Sequence, residues 1–356
     1  MNLKDPATAS FLSWCTSQGI HTNNLQLKGS LPYRYMTCEK DLNPDKNQNK
    51  IPLLKVPLTA CLVGDSHTAL ADRLTFEKML GEDSEFYPYL QMLPPPLEDA
   101  TSPLLEIPRF WSDERLASVM NFDQGQLQAR LEADNKDKEE ETLVDAWALA
   151  CVKTRTNYLD DGSFAMTPLL DMLNHDATIT TKAQVEEGSL ELNVLDHSFK
   201  AGEEVKMCYG DLTNLDTLTI YGFVADNNPC NVECLDVRLI LSPKPVRVAV
   251  CMEDGAISQD TKAQLRRMLA NPAECEGKDK ESLSDFMEPI SEGNELEILS
   301  FLATELDMAA KENRKGALEA ATVREDDLVT QYLASRATTF EKGIQTIKER
   351  FPDLEY

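Results

Sequence analysis

The sequence is short of positive charge, of long apolar runs and of grouped metal ligands. Its 35 Lys and Arg stand against 61 Asp and Glu, a formal net charge of -26. That balance excludes a phosphate-backbone binder, because such proteins gain affinity when Lys and Arg displace counterions. The electrostatic partner it fits is a basic one, and no nucleic acid is expected. No stretch approaches the roughly 18 consecutive apolar residues of a membrane span, so no membrane partner is expected. The opening MNLKDPATASFLSWC has neither a basic segment followed by an apolar run nor an Arg- and Ser-rich transit pattern, and no targeting segment is read there. Four histidines, at 21, 67, 175 and 197, show no ligand spacing. Of the nine cysteines only Cys230 and Cys234 lie close, as C-x3-C without a second pair, and no metal is expected. An odd, scattered set of thiols reads as reduced, hence cytoplasmic or nuclear. A glycine-rich turn after an early strand is also missing, which excludes a dinucleotide-type cofactor fold.

What is present describes a soluble globular chain: 356 residues, 42% hydrophobic and 27% charged, enough for about two domains. Residues 7–19 place Phe11, Leu12 and Cys15 on one helical stripe, with Gly19 as the stop. From Leu25 to Thr59 the text reads as small strands around the polar loop NPDKNQNK. Residues 66–92 return to helical spacing through Leu70, Leu74, Phe76 and Leu80, and LPPPLEDATSP breaks it. Residues 111–155 are helical again, interrupted by the charged run 133–141, read as solvated. Period two appears over 186–207, in SLELNVL and EEVKMCY. VECLDVRLILS and VRVAVCMED read as one or two strands, and 258–351 is amphipathic helix. The order is α+β first and all-α last.

The stretch 168–229 carries the chemistry. PLLDMLNHD sets Asp171, Asn174 and His175 into an apolar run, and buried polar groups need partners, in a loop-bracing network or in a site. Tyr209 ends an alternating strand before Gly210, and Tyr221-Gly222-Phe223 follows. A tyrosine hydroxyl can orient an amine, and aromatic rings can wall in a cation; taken singly, each is also an ordinary core tyrosine. Cys151 or Cys208 with His175 or His197 would make a nucleophilic pair, but no Cys/His signature accompanies them.

The ordered string PLLDMLNHD, FKAGEEVKMCYGDLTN and YGFVADNNP resembles the catalytic half of SET-domain methyltransferases. The branch is the one typified by the Rubisco large-subunit lysine methyltransferase and the actin-histidine methyltransferase. Pro168, Asp171, Asn174, His175, Gly202, Glu203, Glu204, Val205, Tyr209, Gly210, Asn214, Tyr221, Gly222 and Phe223 all stand where that pattern has them. FLSWCTSQG, IPLLKVPLTACL, SEFYPYLQMLP and WALACVKTR extend the resemblance toward the start of the chain. It implies an α+β SET fold over 1–226, with small, pseudoknot-like β-sheets and a helical insertion at about 61–150. A helical, substrate-binding-like domain over 227–356 would follow. It further implies S-adenosylmethionine as cofactor and a monomeric protein-lysine N-methyltransferase acting on a non-histone protein through a basic, Lys-containing segment.

By that resemblance Asn174 and His175 contact the cofactor, Arg155 holds its carboxylate and Phe223 lines the adenine. Tyr209 is the active-site tyrosine, touching cofactor as well, Tyr221 lines the target channel, and Asp171 supports the loop on the substrate side. Two departures bear on this. The branch's first Gly-x-Gly turn falls at 33–36, where this chain has Tyr33-Arg34-Tyr35-Met36, and tyrosine permits neither positive φ nor close backbone approach. Arg34 is then expected to offer the cofactor its backbone, or the chain is a SET-fold interaction module without turnover. Two residues past Arg155, lysine-directed members carry an aromatic residue and histidine-directed ones Asn; here it is Asn157, a substrate-side candidate. Leu170 stands where the histidine branch has Trp. Lysine is the first acceptor and histidine the alternative.

Overall fold

In a computed structural model that describes residues 5–30, 33–44, 50–135, 143–239, 244–279, 281–324, 327–352 and 354, the chain opens on helix α1 (Pro6–Ser17). Pro6 presets a helical φ where no backbone N–H is needed, and the Asp5 carboxylate accepts from the Ala7 N–H at 3.1 Å. The helix ends short of Gly19, whose φ of 74° favours glycine. Short strands follow: β1 (His21–Thr22), β2 (Leu25–Ser30), β3 (Tyr33–Cys38), β4 (Ile51–Pro57) and β5 (Leu62–Gly64). Next come helices α2 (His67–Leu80), α3 (Tyr87–Leu90), α4 (Asp113–Met120), α5 (Gln126–Asn135) and α6 (Leu143–Arg155). Strands β6 (Thr156–Tyr158), β7 (Phe164–Met166), β8 (Asn174–His175), β9 (Thr181–Glu186), β10 (Ser189–Val194) and β11 (Glu204–Met207) complete the mixed part. Much of the charged run at 133–141 and of the polar loop NPDKNQNK lies outside the described residues.

Contacts divide the chain into two units, Met1–Phe110 with Asp137–Asp211, and Trp111–Lys136 with Leu212–Tyr356. These are drawn differently from the domains expected at 1–226 and 227–356. Trp111–Lys136, inside the stretch read as an insertion, goes with the second unit because Trp111, Val119 and Leu127 share a core with Leu218, Tyr332 and Leu333.

The first unit holds three small sheets. One runs β1-β4-β10-β9, all antiparallel. Its β10 carries the predicted alternation, but Ser189 and Asn193 are buried along with Leu190, Leu192 and Val194, and its register on β4 slips after Leu192. The second runs β2-β3-β11-β8, where β8 lies parallel to β11 with Asn174 opposite Lys206 and His175 opposite Met207. That pairing lodges a two-residue strand beside the one that leads into Tyr209. The third, β5-β7-β6, sets Asn157 across from Ala165. Phe11, Leu62, Leu74, Cys151, Met166 and Val205 belong to the core behind these sheets.

In the second unit a short helix α7 (Asn214–Asp216) runs into a π-helical turn over Thr217–Tyr221. A hairpin of β12 (Val232–Val237) and β13 (Val246–Cys251) follows, then α8 (Gln259–Leu269), α9 (Glu292–Val323) and α10 (Leu328–Arg350). Helices α9 and α10 pack on each other over a core that includes Leu235, Val248, Leu302, Leu306 and Phe340. Among the described residues no helix is long and apolar enough to cross a membrane.

Candidate active site

Asp171 is the centre of the first unit's polar interior. Leu169 adopts a φ of 66°, which leucine takes at a cost, and a 3-10 turn over Leu170–Met172 follows. The Asp171 side chain is fully buried there. Its Oδ2 accepts from the Tyr89 hydroxyl at 2.8 Å and from Arg155 Nη1 at 3.1 Å, and the same Nη1 donates to the Asp171 carbonyl at 2.9 Å. Asp171 Oδ1 and Arg155 Nε are both buried without a hydrogen-bond partner. Burial pushes the Asp171 carboxyl up, against the pull of Arg155 and of the Tyr89 hydroxyl. Burial also works against the Arg155 charge, but the Asp171 carboxylate outweighs it and holds the guanidinium above its usual range.

Two residues on, β8 begins. Asn174 is exposed and donates through Nδ2 to Glu204 Oε1 at 2.6 Å. His175 Nδ1 accepts the Tyr209 backbone N–H at 3.1 Å, and the two rings lie 5.1 Å apart. Burial lowers the His175 pKa, so the ring is neutral at physiological pH with its proton on Nε2. The Tyr209 hydroxyl donates to the Leu173 carbonyl at 2.6 Å. A phenol that has committed its proton in this way presents lone pairs to anything else it meets.

Asn157, on β6, donates through Nδ2 to the buried Thr167 hydroxyl at 3.4 Å, a long bond. Arg34 departs from its expectation. Residues 33–36 form no turn but the start of β3, with Arg34 paired to Gly29. Gly29 carries the positive φ, 80°, and a Cβ there would run into the Tyr33 carbonyl oxygen. The strand sends the Arg34 side chain inward, where it donates to the Met92 carbonyl at 3.3 Å and to the Asp5 carboxylate at 3.4 Å.

Tyr221 and Phe223 lie in the second unit, their rings 6.0 Å apart, and burial raises the Tyr221 hydroxyl pKa. The first unit therefore brings Arg155, at the end of α6, and Tyr209, just past β11, to the turn and strand that carry Asp171, Asn174 and His175, with Arg34 on β3 of the same sheet as β8 and Asn157 on β6 of another. Burial pushes the thiols of Cys15, Cys61 and Cys151 up to about 12, with the Asp171 charge adding to it. A thiol kept protonated is no nucleophile, which removes Cys151 from that role. Sequence reasoning missed Tyr89. SEFYPYLQMLP marked the segment, but nothing in it shows a hydroxyl that meets a carboxylate 82 residues away.

No family model matches the chain. Over 88 residues, 23% of this chain, it is 40% identical to the actin-histidine N-methyltransferase of Gallus gallus and 39% to that of Homo sapiens. That match spans 15% of the length of either relative. In solved structures it resembles Rubisco LSMT bound to AdoMet, with a TM-score of 0.64 and 17% identity over 99% of this chain and 93% of that one. The SET domain of LSMT bound to MeLysine and AdoHcy gives 0.64 and 16% over the same shares.

Proposed function

We propose that this chain, whose fold is that of the SET domain with a helical C-terminal region, is an S-adenosylmethionine-dependent protein N-methyltransferase with lysine as its first acceptor. The observation that carries the reading is the Arg155–Asp171 pair beside the His175–Tyr209 pair. An amino-acid end brings one carboxylate and one ammonium. The buried Arg155 Nε and Asp171 Oδ1, which have no hydrogen-bond partner, are the donor and acceptor such an end requires. The residues fit the group.

Bound there, the cofactor supplies an electrophilic methyl group on a sulfonium. The chain's part is alignment. Arg155 holds the carboxylate, Asn174 contributes its amide, and the neutral His175 fixes the Tyr209 backbone through Nδ1. The Tyr209 oxygen, with its proton on the Leu173 carbonyl, accepts an N–H of the acceptor amine and turns the nitrogen lone pair toward the methyl carbon. Asn157 stands on the substrate side. The resemblance gives Tyr221 to the target channel and Phe223 to the adenine. The excess of acidic residues favours a basic, Lys-containing protein segment, the scattered thiols suit the cytosol or nucleus, and the enzyme is taken as a monomer.

A histidine acceptor is the second reading, favoured by the Asn157 amide, which can hydrogen-bond an imidazole nitrogen, and by the 40% segment shared with actin-histidine enzymes. Calorimetry with S-adenosylhomocysteine is the first test, and no binding at millimolar ligand would overturn the enzyme reading in favour of an interaction module. Tyr209→Phe should then cut methyl transfer on the order of a hundredfold while cofactor affinity holds within a few-fold. Mass spectrometry of labelled extract separates methyl-Lys from methyl-His, and Asn157→Phe should harm only a histidine enzyme.

A further inference from the structure

Helix α10 has two unlike faces. Val329, Tyr332, Leu333 and Phe340 are buried in the cores of the second unit. The adjoining face carries Thr330, Gln331, Ala334, Ser335 and Thr338, small or polar residues at the spacing that stacks side chains along one side of a helix. Instead of packing, this face and the loop over residues 224–228 bound a cavity of about 310 Å³, which Met252 also lines. That volume is at the lower end of the roughly 300–1,000 Å³ of ligand pockets, enough for one long side chain. Every lining residue belongs to the second unit.

Three buried asparagines hold the loop in place. Asn214 donates through Nδ2 to the Ser335 hydroxyl at 2.5 Å and to the Ala225 carbonyl at 3.2 Å. Asn228 donates through Nδ2 to the Leu212 carbonyl at 2.8 Å and to Asn214 Oδ1 at 3.0 Å, and Asn231 Oδ1 accepts the Asn214 backbone N–H at 2.8 Å. Buried amides bonded to one another fix a frame that cannot collapse onto the helix without losing those bonds. The frame leaves two groups over. The exposed Asp226 carboxylate and the exposed Asn227 amide, the latter on a backbone with a φ of 48°, make no hydrogen bond or ion pair among the described residues. Asn214 and the ADNNP run belong to the ordered motif of the sequence, yet methyl transfer as proposed above uses neither.

The lining selects by charge. It contains no lysine, arginine or histidine among the described residues. The guanidinium that reaches its edge, Arg314, donates to the Thr338 hydroxyl at 3.0 Å but is closed on Glu341 by bonds of 3.0 and 2.7 Å. An anion would find no counter-charge, whereas a cation finds the Asp226 carboxylate, with the Asn227 and Gln331 amide oxygens as further acceptors. A planar guanidinium suits acceptors set apart around a cavity better than a compact, strongly hydrated ammonium does. We infer that this cavity is a docking site for one arginine side chain of the protein substrate, separate from the side chain that is methylated. Its lining starts at Val224, directly after Tyr221-Gly222-Phe223, so the residues given to the target channel lead into it along the chain. The inference rests on the function proposed above for the source of that side chain.

The experiment is an amide NMR titration of the whole chain with Nα-acetylarginine amide, at about 0.15 M salt so that diffuse attraction to the acidic surface is screened. Saturable shifts are expected over residues 224–231 and 330–338. Nα-acetylcitrulline amide, which has the same shape without the charge, is expected to bind about tenfold more weakly, and Nα-acetyllysine amide several-fold more weakly. Asp226→Asn should weaken the arginine probe about threefold, the scale of an exposed ion pair, and Ala334→Leu, which fills the cavity from a helical position, should abolish its binding. Shifts that do not saturate, that scatter over the acidic surface, or that citrulline or lysine reproduces at equal affinity overturn the inference, as does unchanged binding in Ala334→Leu. Should Ala334→Leu not fold, Asp226→Asn at its exposed loop position decides, and wild-type affinity in it overturns the proposal. Failure of the wild type to bind S-adenosylhomocysteine in calorimetry overturns the proposed function, and with it the methylated protein as the source of the arginine. Arginine binding in the cavity stands or falls on the titration alone.

Discussion

Each unit buries an arginine against a carboxylate and a tyrosine, and the two clusters complete their hydrogen bonds differently. In the second unit Arg336 is 1% exposed and donates to Glu233 at 2.5 Å, to Asn313 at 3.1 Å and to the Cys234 carbonyl at 3.3 Å. Glu233 turns its other oxygen to Asn231, which donates at 3.2 Å. Every edge of that guanidinium is used. In the first unit Arg155 bonds Asp171 through Nη1, while its Nε and the Asp171 Oδ1 are buried without a hydrogen-bond partner. Residue chemistry is nearly the same in both places. A closed network fixes packing, and an open one keeps donors and acceptors for something that binds.

Cutting both arginines is the strongest way to break that comparison. Arg336→Met leaves Glu233 buried without its charge partner and is expected to cost about 3–5 kcal/mol, read as a shift in the denaturant midpoint. Arg155→Met should lose less stability, because Asp171 keeps the Tyr89 donor and has a pKa already raised by burial, but should abolish S-adenosylhomocysteine binding in calorimetry. If Arg336→Met proves the more damaging to binding among folded molecules, the distinction between the clusters fails. Tyr89→Phe sharpens it at a smaller scale. Removing one donor from Asp171 is expected to cost about 1 kcal/mol, with a few-fold loss of cofactor affinity because Arg155 is less firmly held.

The smallest effect concerns pH. Burial lowers the folded His175 pKa below that of a solvent-exposed imidazole, about 6.5, so the unfolded chain takes up that proton first as pH falls. The stability contribution is full above about 6.5 and is lost as pH drops through the lowered folded value. Unfolding free energies measured from pH 8 to pH 5 should decline, and His175→Gln should flatten part of that decline.

Much of the architecture was legible in the chain because it is local. The helix read at residues 7–19, observed as Pro6–Ser17, follows from an apolar stripe and a terminal glycine, both within one segment. The SET resemblance rested on the order and spacing of short motifs, and the likeness in fold covers 99% of the chain. Side-chain partnerships were not legible. Tyr89 meets Asp171 across 82 residues, and Arg336 meets Glu233 across 103. The turn expected at 33–36 is strand instead, and the positive φ of that strand pair falls at Gly29 on the facing strand, which only the pairing of β2 with β3 reveals.

By itself the sequence determined that a mixed helix-and-strand part precedes a helical one, which polar residues interrupt apolar runs, and that Asp171, Asn174, His175 and Tyr209 belong to one ordered motif. Those are properties of neighbours along the chain, set by φ/ψ preference and by hydrophobic period. Only the tertiary structure decided that Arg34 turns inward to a half-exposed Asp5, that the Trp111–Lys136 segment joins the second unit, and that Arg336 is satisfied where Arg155 is not. Satisfaction of a buried group depends on atoms brought close by packing, over separations in sequence that no local preference spans.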